Sequence, residues 1–487
     1  MKTPSVISTA ALLAWALVGY TSVAQEPVSP ATAAGSNAAA TATTEPSTPG
    51  TAGVSKVRIV RLSEVKGQVQ LDRLTGKGFE TAMANLPIIE GARLKTEDGV
   101  AEVEFEDNST IRLAPNSTVD FPRLELLPGG IKASTVNVQQ GMVYASLVNA
   151  KNNQLTMKFG QQTVNLPPDS HVRLQVTPSE ANLAVMHGDV TVQEPTGTTM
   201  IGKNRTATFN MAEQSQPVVA KSLVDQPLDK WDDNAAQYHK NYANASAFGN
   251  TPYSYGINDL NYYGSFVNGC GGSLWRPYFA GAAWDPYGSG AWAYYPSAGY
   301  SWVSPYPWGW TPYHYGSWSF CQGIGWGWMP GGAWMGLANT AYANPTGFNN
   351  SLTGTRPHPP VGPPARTEST LVGVNMKAMP TSSLTGNDKF VFRGDSAGLG
   401  VPRGSLGKLN GFSNHVAQHG MASTTVYAPA ANAGARGGES SMFSAAGRSG
   451  PANSGRSSYS GSMQGPAGGG AAHSSMQSAP SGGGGRR

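Results

Sequence analysis

The sequence predicts a mainly β protein: an all-β domain, a short amphipathic helix, tandem β-hairpin repeats and a long disordered tail. Three observations predict it. Short alternating apolar runs separated by Gly, Asn, Asp and Pro turns fill residues 56–212, the pattern of half-buried strands. Residues 251–337 repeat a glycine–aromatic pattern at a 26-residue spacing, which marks supersecondary units that cannot bury an apolar face alone. Gly, Ala, Ser and Pro or Thr dominate residues 25–55 and 338–487, so of 487 residues only the middle has the apolar content for cores.

Residues 1–24 read as a secretory signal peptide. Lys2 supplies the positive end, Ala10 to Val18 the apolar run, and Ser22-Val23-Ala24 a small-residue cleavage site before Gln25. The apolar run is short for a membrane span, which favours cleavage over a retained anchor. With no cysteine at the cleavage site, the leader is not lipoprotein-like. The expected location is periplasmic or secreted, with no stable membrane span once the leader is cleaved. Residues 25–55 follow as a flexible Ala/Thr/Pro linker with very few charges.

Residues 56–212 carry the strand series. Val65-x-Gly-x-Val69-x-Leu71, Ala101-x-Val103-x-Phe105 and Thr110 to Leu113 open it, and Val136-x-Val138 and Met142 to Tyr144 continue it. Leu155-x-Met157-x-Phe159, Val172-x-Leu174-x-Val176 and Leu183-x-Val185 complete it. Regular short strands without a helical period argue for a sandwich, roll or solenoid-like sheet. Glu106-Asp107-Asn108-Ser109 is a polar turn between two of them.

These residues also carry a resemblance. Gly67-Gln-Val69, Leu86-Pro-Ile-Ile-Glu-Gly91-Ala-Arg-Leu94-Lys-Thr96, Ala101-Glu-Val-Glu-Phe105 and Ile111-Arg-Leu113-Ala-Pro115 resemble the FecR-type domain. Gln140-Gly141-Met-Val143 and His187-Gly188-Asp189-Val190 look like that family's recurring Gly-x-Val elements. The resemblance implies an all-β periplasmic module of the kind associated with iron-dicitrate signalling. Family members that regulate transcription join a cytoplasmic anti-sigma segment to this domain through a membrane helix. Here a leader and a linker stand in its place, so the resemblance is not carried over to that mechanism.

Residues 223–246 give one helix. Asp225 or Gln226 can cap it and Pro227 suits its first turn. Leu228, Trp231, Ala235, Tyr238 and Tyr242 fall on one face. Asp229, Asp232 and Asp233 sit near its positive end and His239 and Lys240 near the other. It reads as a packing connector between the β domain and the hairpins.

In residues 251–337 charge nearly vanishes. Ten of the twelve tryptophans lie from Trp275 to Trp334, and only Asp259, Arg276 and Asp285 are charged between Tyr253 and Trp334. Trp284, Pro286, Tyr287, Gly290, Trp292, Gly299 and Trp302 recur as Trp310, Pro312, Tyr313, Gly316, Trp318, Gly325 and Trp328. A shorter copy supplies Gly264, Phe266, Gly272 and Trp275. Alternation around a Gly-containing turn predicts three tandem hairpins. Cys270 and Cys321 occupy matching places in the first and third copies, and in an oxidising compartment this spacing favours a disulfide.

The aromatics allow two uses. Trp275, Trp302, Trp318 and Trp328 could stack on sugar rings, with Asn258, Asp259, Asn261, His314 and Gln322 as polar neighbours. Alternatively tryptophan replaces aliphatics as core and the adjacent glycines permit close approach. Packing is the favoured reading. Residues 338–487 form the Gly/Ser/Pro-rich tail, twelve basic residues to four acidic from Ser351 on, with a segment near Leu371 to Phe392 able to order locally.

Catalytic signals are weak. His187-Gly188-Asp189 lacks a placed nucleophile, and the histidine reads as structural. The cysteines and histidines have no zinc spacing, and no glycine-rich phosphate loop opens a helix. Asp259 and Asp285 read as turn residues rather than calcium ligands. The expectation is no catalytic residue, no metal and no cofactor. A net charge of +4 gives no nucleic-acid footprint. The expected role is binding or scaffolding in the cell envelope, with a protein or polysaccharide partner; the alternatives are glycan recognition by the hairpins and FecR-type signalling.

Overall fold

The computed structural model describes residues 58–213, 215–249, 251, 253–340, 356–376, 384–385 and 389–425. The leader, the linker and residues 426–487 lie outside the described residues. Among the described residues no helix is long and apolar enough to cross a membrane.

Among the described residues seventeen strands precede the first α-helix. They are β1 (Val60–Lys66), β2 (Val69–Asp72), β3 (Phe79–Thr81), β4 (Pro87–Ile88), β5 (Arg93–Thr96) and β6 (Val100–Glu104). Next come β7 (Thr110–Leu113), β8 (Thr118–Leu127), β9 (Ile131–Ser146), β10 (Asn153–Phe159), β11 (Gln162–Leu166) and β12 (His171–Val176). The series ends with β13 (Glu180–His187), β14 (Val190–Glu194), β15 (Gly197–Ile201), β16 (Arg205–Asn210) and β17 (Val218–Ala220).

They form two layers. The first runs β3-β2-β5-β8-β9-β10-β11-β14-β15. The second runs β4-β1-β6-β7-β9-β12-β13-β16-β17. β9 belongs to both: its first part pairs with β8 and β10, and the part from Gly141 pairs with β7 and β12. The crossing point needs glycine. Gly141 has φ 91°, and a Cβ there would lie 2.4 Å from Ser117 Cα. The Val65 to Leu71 run, read as one strand, is two, because Gly67 at φ 69° turns the chain between β1 and β2.

Alternation in each strand builds the core. Ala101, Val103, Ile111, Leu113, Val143 and Ala145 face the other layer and are buried. Their neighbours Glu102, Glu104, Arg112 and Tyr144 point away from it, yet they are buried too. The outer face of the second layer is covered.

Helix α1 (Asp229–Tyr242) provides part of the cover. It is shorter than the sequence reading of 223–246. Neither Asp225 nor Gln226 caps it; Leu228 is the N-cap residue, with no side-chain bond, and the Asp229 carboxylate accepts from Gln226 N–H. Trp231 packs on Val100 and Tyr144, while Tyr238 packs on Tyr262 of α2 (Ile257–Tyr263). The helix does connect the β domain to the aromatic region.

Three hairpins follow: β18 (Gly264–Gly269) with β19 (Gly272–Pro277), β20 (Gly290–Tyr295) with β21 (Gly299–Val303), and β22 (Tyr315–Cys321) with β23 (Gly325–Trp334). The short helix α3 (Thr311–His314) leads into the third. The repeat in sequence is not a repeat in space. The first and third hairpins share a sheet through Trp275 opposite Trp328. The second instead pairs with β24 (Leu371–Val374). One face of the second hairpin, with Ala293, Tyr295 and Val303, belongs to the sandwich core, and Trp292 and Trp302 belong to the aromatic core.

The tail reading is corrected for the described parts of the segment, residues 356–376, 384–385 and 389–425. Besides β24, this stretch carries β25 (Leu384–Thr385), β26 (Lys389–Arg393), α4 (Leu409–His419) and β27 (Met421–Thr425). Phe390, Phe392, Val401, Leu409 and Val416 join the aromatic core. Composition hid them because the apolar residues are few and well spaced.

Candidate functional site

Charged side chains from strands β1, β6, β7 and β12, from α1 and α2 and from the segment of Arg403 meet in one buried cluster. Arg61 on β1 pairs with Glu104 on β6 at 2.9 Å and with Asp259 on α2 at 2.7 Å. Arg403 pairs with Glu102 on β6 and with Asp259, both at 2.8 Å, and donates to the Ser63 carbonyl. Arg112 on β7 joins Glu102 to Asp232 on α1, again at 2.8 Å to each. His171 contacts Asp232 at 2.6 Å, and His239 contacts Glu102 at 3.0 Å and Asn108 at 2.9 Å. Tyr238 donates to Asp259 and lies under the Arg403 guanidinium.

The electrostatics follow from burial and neighbours. Burial alone would raise the Glu102 pKa, but His239, Arg112 and Arg403 outweigh it and hold the carboxyl well below the usual range. Burial likewise opposes Asp232, and Arg112 and His171 bring it down. Glu104 goes the other way: burial raises it more than Arg61 lowers it. The Arg403 guanidinium loses by burial and gains more from Asp259 and Glu102, so it stays charged. Glu102, Glu104 and Asp259 are each 1 % exposed. Groups so sealed and so fully engaged hold segments together; they do not present a base or nucleophile to a substrate.

The sequence reading placed Asp259 in a turn and Asp232 and His239 as dipole partners. In the structure Asp259 lies in α2 and all three are buried in this cluster. A signal for it existed: Trp231–Asp232 and Tyr238–His239 recur seven residues apart, so polar groups ride in the apolar stripe of α1. Arg403 had no such signal. Asp285 does lie in a turn, its carboxylate accepting from Tyr287 N–H and pushed upward by burial. His187 is exposed and contacts Asp169 at 3.2 Å, outside the cluster. Among the described residues no group of three or more metal-ligating side chains converges.

The four tryptophans weighed as a sugar-stacking surface against packing are core. Trp275 and Trp302 are 1 % exposed and Trp318 and Trp328 0 %, so they offer no face to a sugar ring. Trp275 lies 5.0 Å from Trp308, Trp302 lies 5.1 Å from Trp292, and Trp318 lies 5.6 Å from Trp284, mostly edge to face. Asn258 and His314 are buried with them, and Asn261 donates to the Tyr242 and Asn244 carbonyls. The repeat now has a physical reason. A Cβ on Gly264 or Gly290 would lie 2.4 or 2.2 Å from the ring of Trp275 or Trp302, and one on Gly316 2.9 Å from Trp328 Nε1. The first two hairpins open on a glycine, and the third has one at its second residue, so that the closing indole can lie across it.

Cys270, in the first hairpin's turn, and Cys321, at the end of β22, are joined with Cα atoms 5.7 Å apart. The bond ties the first hairpin to the third away from the Trp275–Trp328 pair. Among the described tryptophans Trp334 stands apart: it is 41 % exposed, stacked on His314 at 5.0 Å.

No curated protein matches the sequence. Two crystal structures of a candidate anti-sigma factor from Parabacteroides distasonis, at 1.65 and 2.50 Å, align with 12 % identity and a TM-score of 0.24. The alignments cover 28 % of this chain and 63 % and 62 % of those chains, less than two thirds of their length. A likeness at that score carries no argument about fold or function. Residues 92–202 match the FecR protein family, and residues 257–348 match a family of unknown function, DUF6600. The chain thus carries a FecR domain, followed by a DUF6600 region.

Proposed function

We propose that this protein is a non-enzymatic, exported component of the cell envelope. In this reading the FecR domain and the aromatic hairpin region act as one binding or scaffolding body in envelope signalling. The observation that carries it is the Arg61–Asp259–Arg403–Glu102 junction. It commits a buried carboxylate of each family segment, Glu102 and Asp259, to joining them through Arg403. A composite surface made by two joined modules suits a protein partner, and the FecR domain supports a regulatory part for it.

The test is affinity capture from envelope extracts on the mature chain beginning at Gln25, followed by reconstitution with the purified partner. A partner that binds the intact chain and loses affinity when residues 389–487 are removed supports the proposal. Hydrolase activity abolished by substituting a single carboxylate or histidine would overturn it. N-terminal sequencing of the exported protein should read from Gln25, and a retained leader would contradict the export step.

A second reading is carbohydrate or peptidoglycan recognition, for which Trp334 is the favourable observation. Its exposed indole, held against His314, could take the apolar face of a sugar ring. Fluorescence titration with peptidoglycan fragments and a Trp334→Ala control tests it, and no change in the intact chain removes it.

A further inference from the structure

The two layers of the sandwich end in four edge strands, and three of these are protected. β3 has three residues, and its Glu80 is engaged by Arg73 and Thr370. β4 has two residues beginning with Pro87, whose carbonyl takes the Tyr295 hydroxyl. β17 has three residues. Short length, charge, proline and cover are the usual ways of blunting an edge.

β15 uses none of them. It is Gly197-Thr-Thr-Met-Ile201, five residues without charge or proline, and among the described strands it pairs with β14 alone. Its Met200 is 73 % exposed. Thr199 and Ile201 turn inward, so Thr198 and Met200 lie on the outer face.

The register shows which main-chain groups are free. Only Pro195 and Thr196 separate the closing pair Glu194–Gly197, and the pair closing a two-residue hairpin is a hydrogen-bonded one. Alternation then directs the N–H and C=O of Gly197, Thr199 and Ile201 toward β14. Those of Thr198 and Met200 point outward.

This edge is complementary to itself. Laid antiparallel about Thr199, two copies let Thr198 of each exchange both main-chain bonds with Met200 of the other. Thr199 then faces Thr199 at a non-hydrogen-bonded site, where threonine pairs are favourable, and no like charges meet. Each Met200 covers the other copy's Thr198. A two-fold arrangement also closes, using up the edge and leaving no template for further growth.

We infer that β15 is a self-association edge through which two copies of the chain join antiparallel into one continuous sheet. Because one short edge is smaller than a standard interface, the dimer is weak and depends on concentration.

Sedimentation of the full chain across micromolar concentrations should show a monomer–dimer equilibrium. Met200→Pro removes an outward N–H without breaking the β14 ladder, so it should abolish the dimer and leave the thermal transition in place. Because the native cysteines are joined to each other, Thr199→Cys offers a clean cross-link, and mild oxidation should give a covalent dimer. A chain monomeric throughout, a dimer that survives Met200→Pro, or a Thr199→Cys chain that fails to cross-link would each overturn the inference. So would a strand of another protein bound at β15 in place of the second copy.

Discussion

Arg403 holds two carboxylates from distant parts of the chain. Glu102 lies on a strand of the FecR domain and Asp259 on a helix of the aromatic region, and both are sealed from water. Removing one partner of such a buried set leaves uncompensated charge, a cost of about 3–5 kcal/mol. Arg403→Met should therefore lower unfolding stability by roughly that amount in denaturant titrations. The exposed Arg393→Met should shift it by less than about 0.5 kcal/mol. His314 gives a pH dependence. Burial depresses its pKa from 6.5 to about 4 in the folded chain, so below pH 6.5 the unfolded chain takes up a proton that the folded chain does not. Stability should thus fall as pH drops from 6.5 to about 4, by up to about 1.4 kcal/mol per unit from this residue. Below that the His314 share of the slope should fade while Glu102 and Asp232 take over, because the unfolded carboxyls bind protons near 4.5 and 3.8 while the folded ones, both depressed, do not. Melting curves of His314→Gln across this range should lack the upper slope.

At the level of elements, the hairpins show which parts of a repeat are structural. Gly290 is needed for space, because a Cβ would meet the Trp302 ring at 2.2 Å. Gly299 is needed for its φ of 77° alone, with nothing near its absent Cβ. Gly290→Ala should cost about 1–3 kcal/mol by overpacking, and Gly299→Ala about 1–2 by backbone strain. Equilibrium unfolding distinguishes them, since only the first should also disturb the near-ultraviolet signal of the indoles. The disulfide spans 51 residues, so replacing both cysteines by serine should cost about 4 kcal/mol in the chain-entropy model. A loss near zero would show that the Trp275–Trp328 contact suffices to hold the two hairpins.

Over the whole molecule, the strands and hairpins were legible because alternation and turn chemistry are local properties. Three hairpins could be read from Gly264, Gly290 and Gly316 and their indoles, but not that the second would leave the others to wall the sandwich. That choice depends on Ala293, Tyr295 and Val303 fitting a distant core. The buried cluster was hidden for a related reason. Glu102, Glu104 and Arg112 alternate with apolar residues as solvated strand positions do, and only tertiary cover distinguishes the two cases. The segment around Arg403 was missed because composition averages away a few well-placed contacts: the Trp308 indole donates to the Ala397 carbonyl, and the Tyr263 hydroxyl to that of Val401. Together these contacts and the shared ion cluster predict that the FecR domain and the aromatic region unfold as one. The direct measurement is chemical denaturation followed in parallel by tryptophan fluorescence, which reports mainly the hairpins, and far-ultraviolet circular dichroism, which reports mainly the sandwich. Coincident transitions, displaced together by Arg403→Met, are the predicted result; a fluorescence transition separated from the dichroism transition would contradict it.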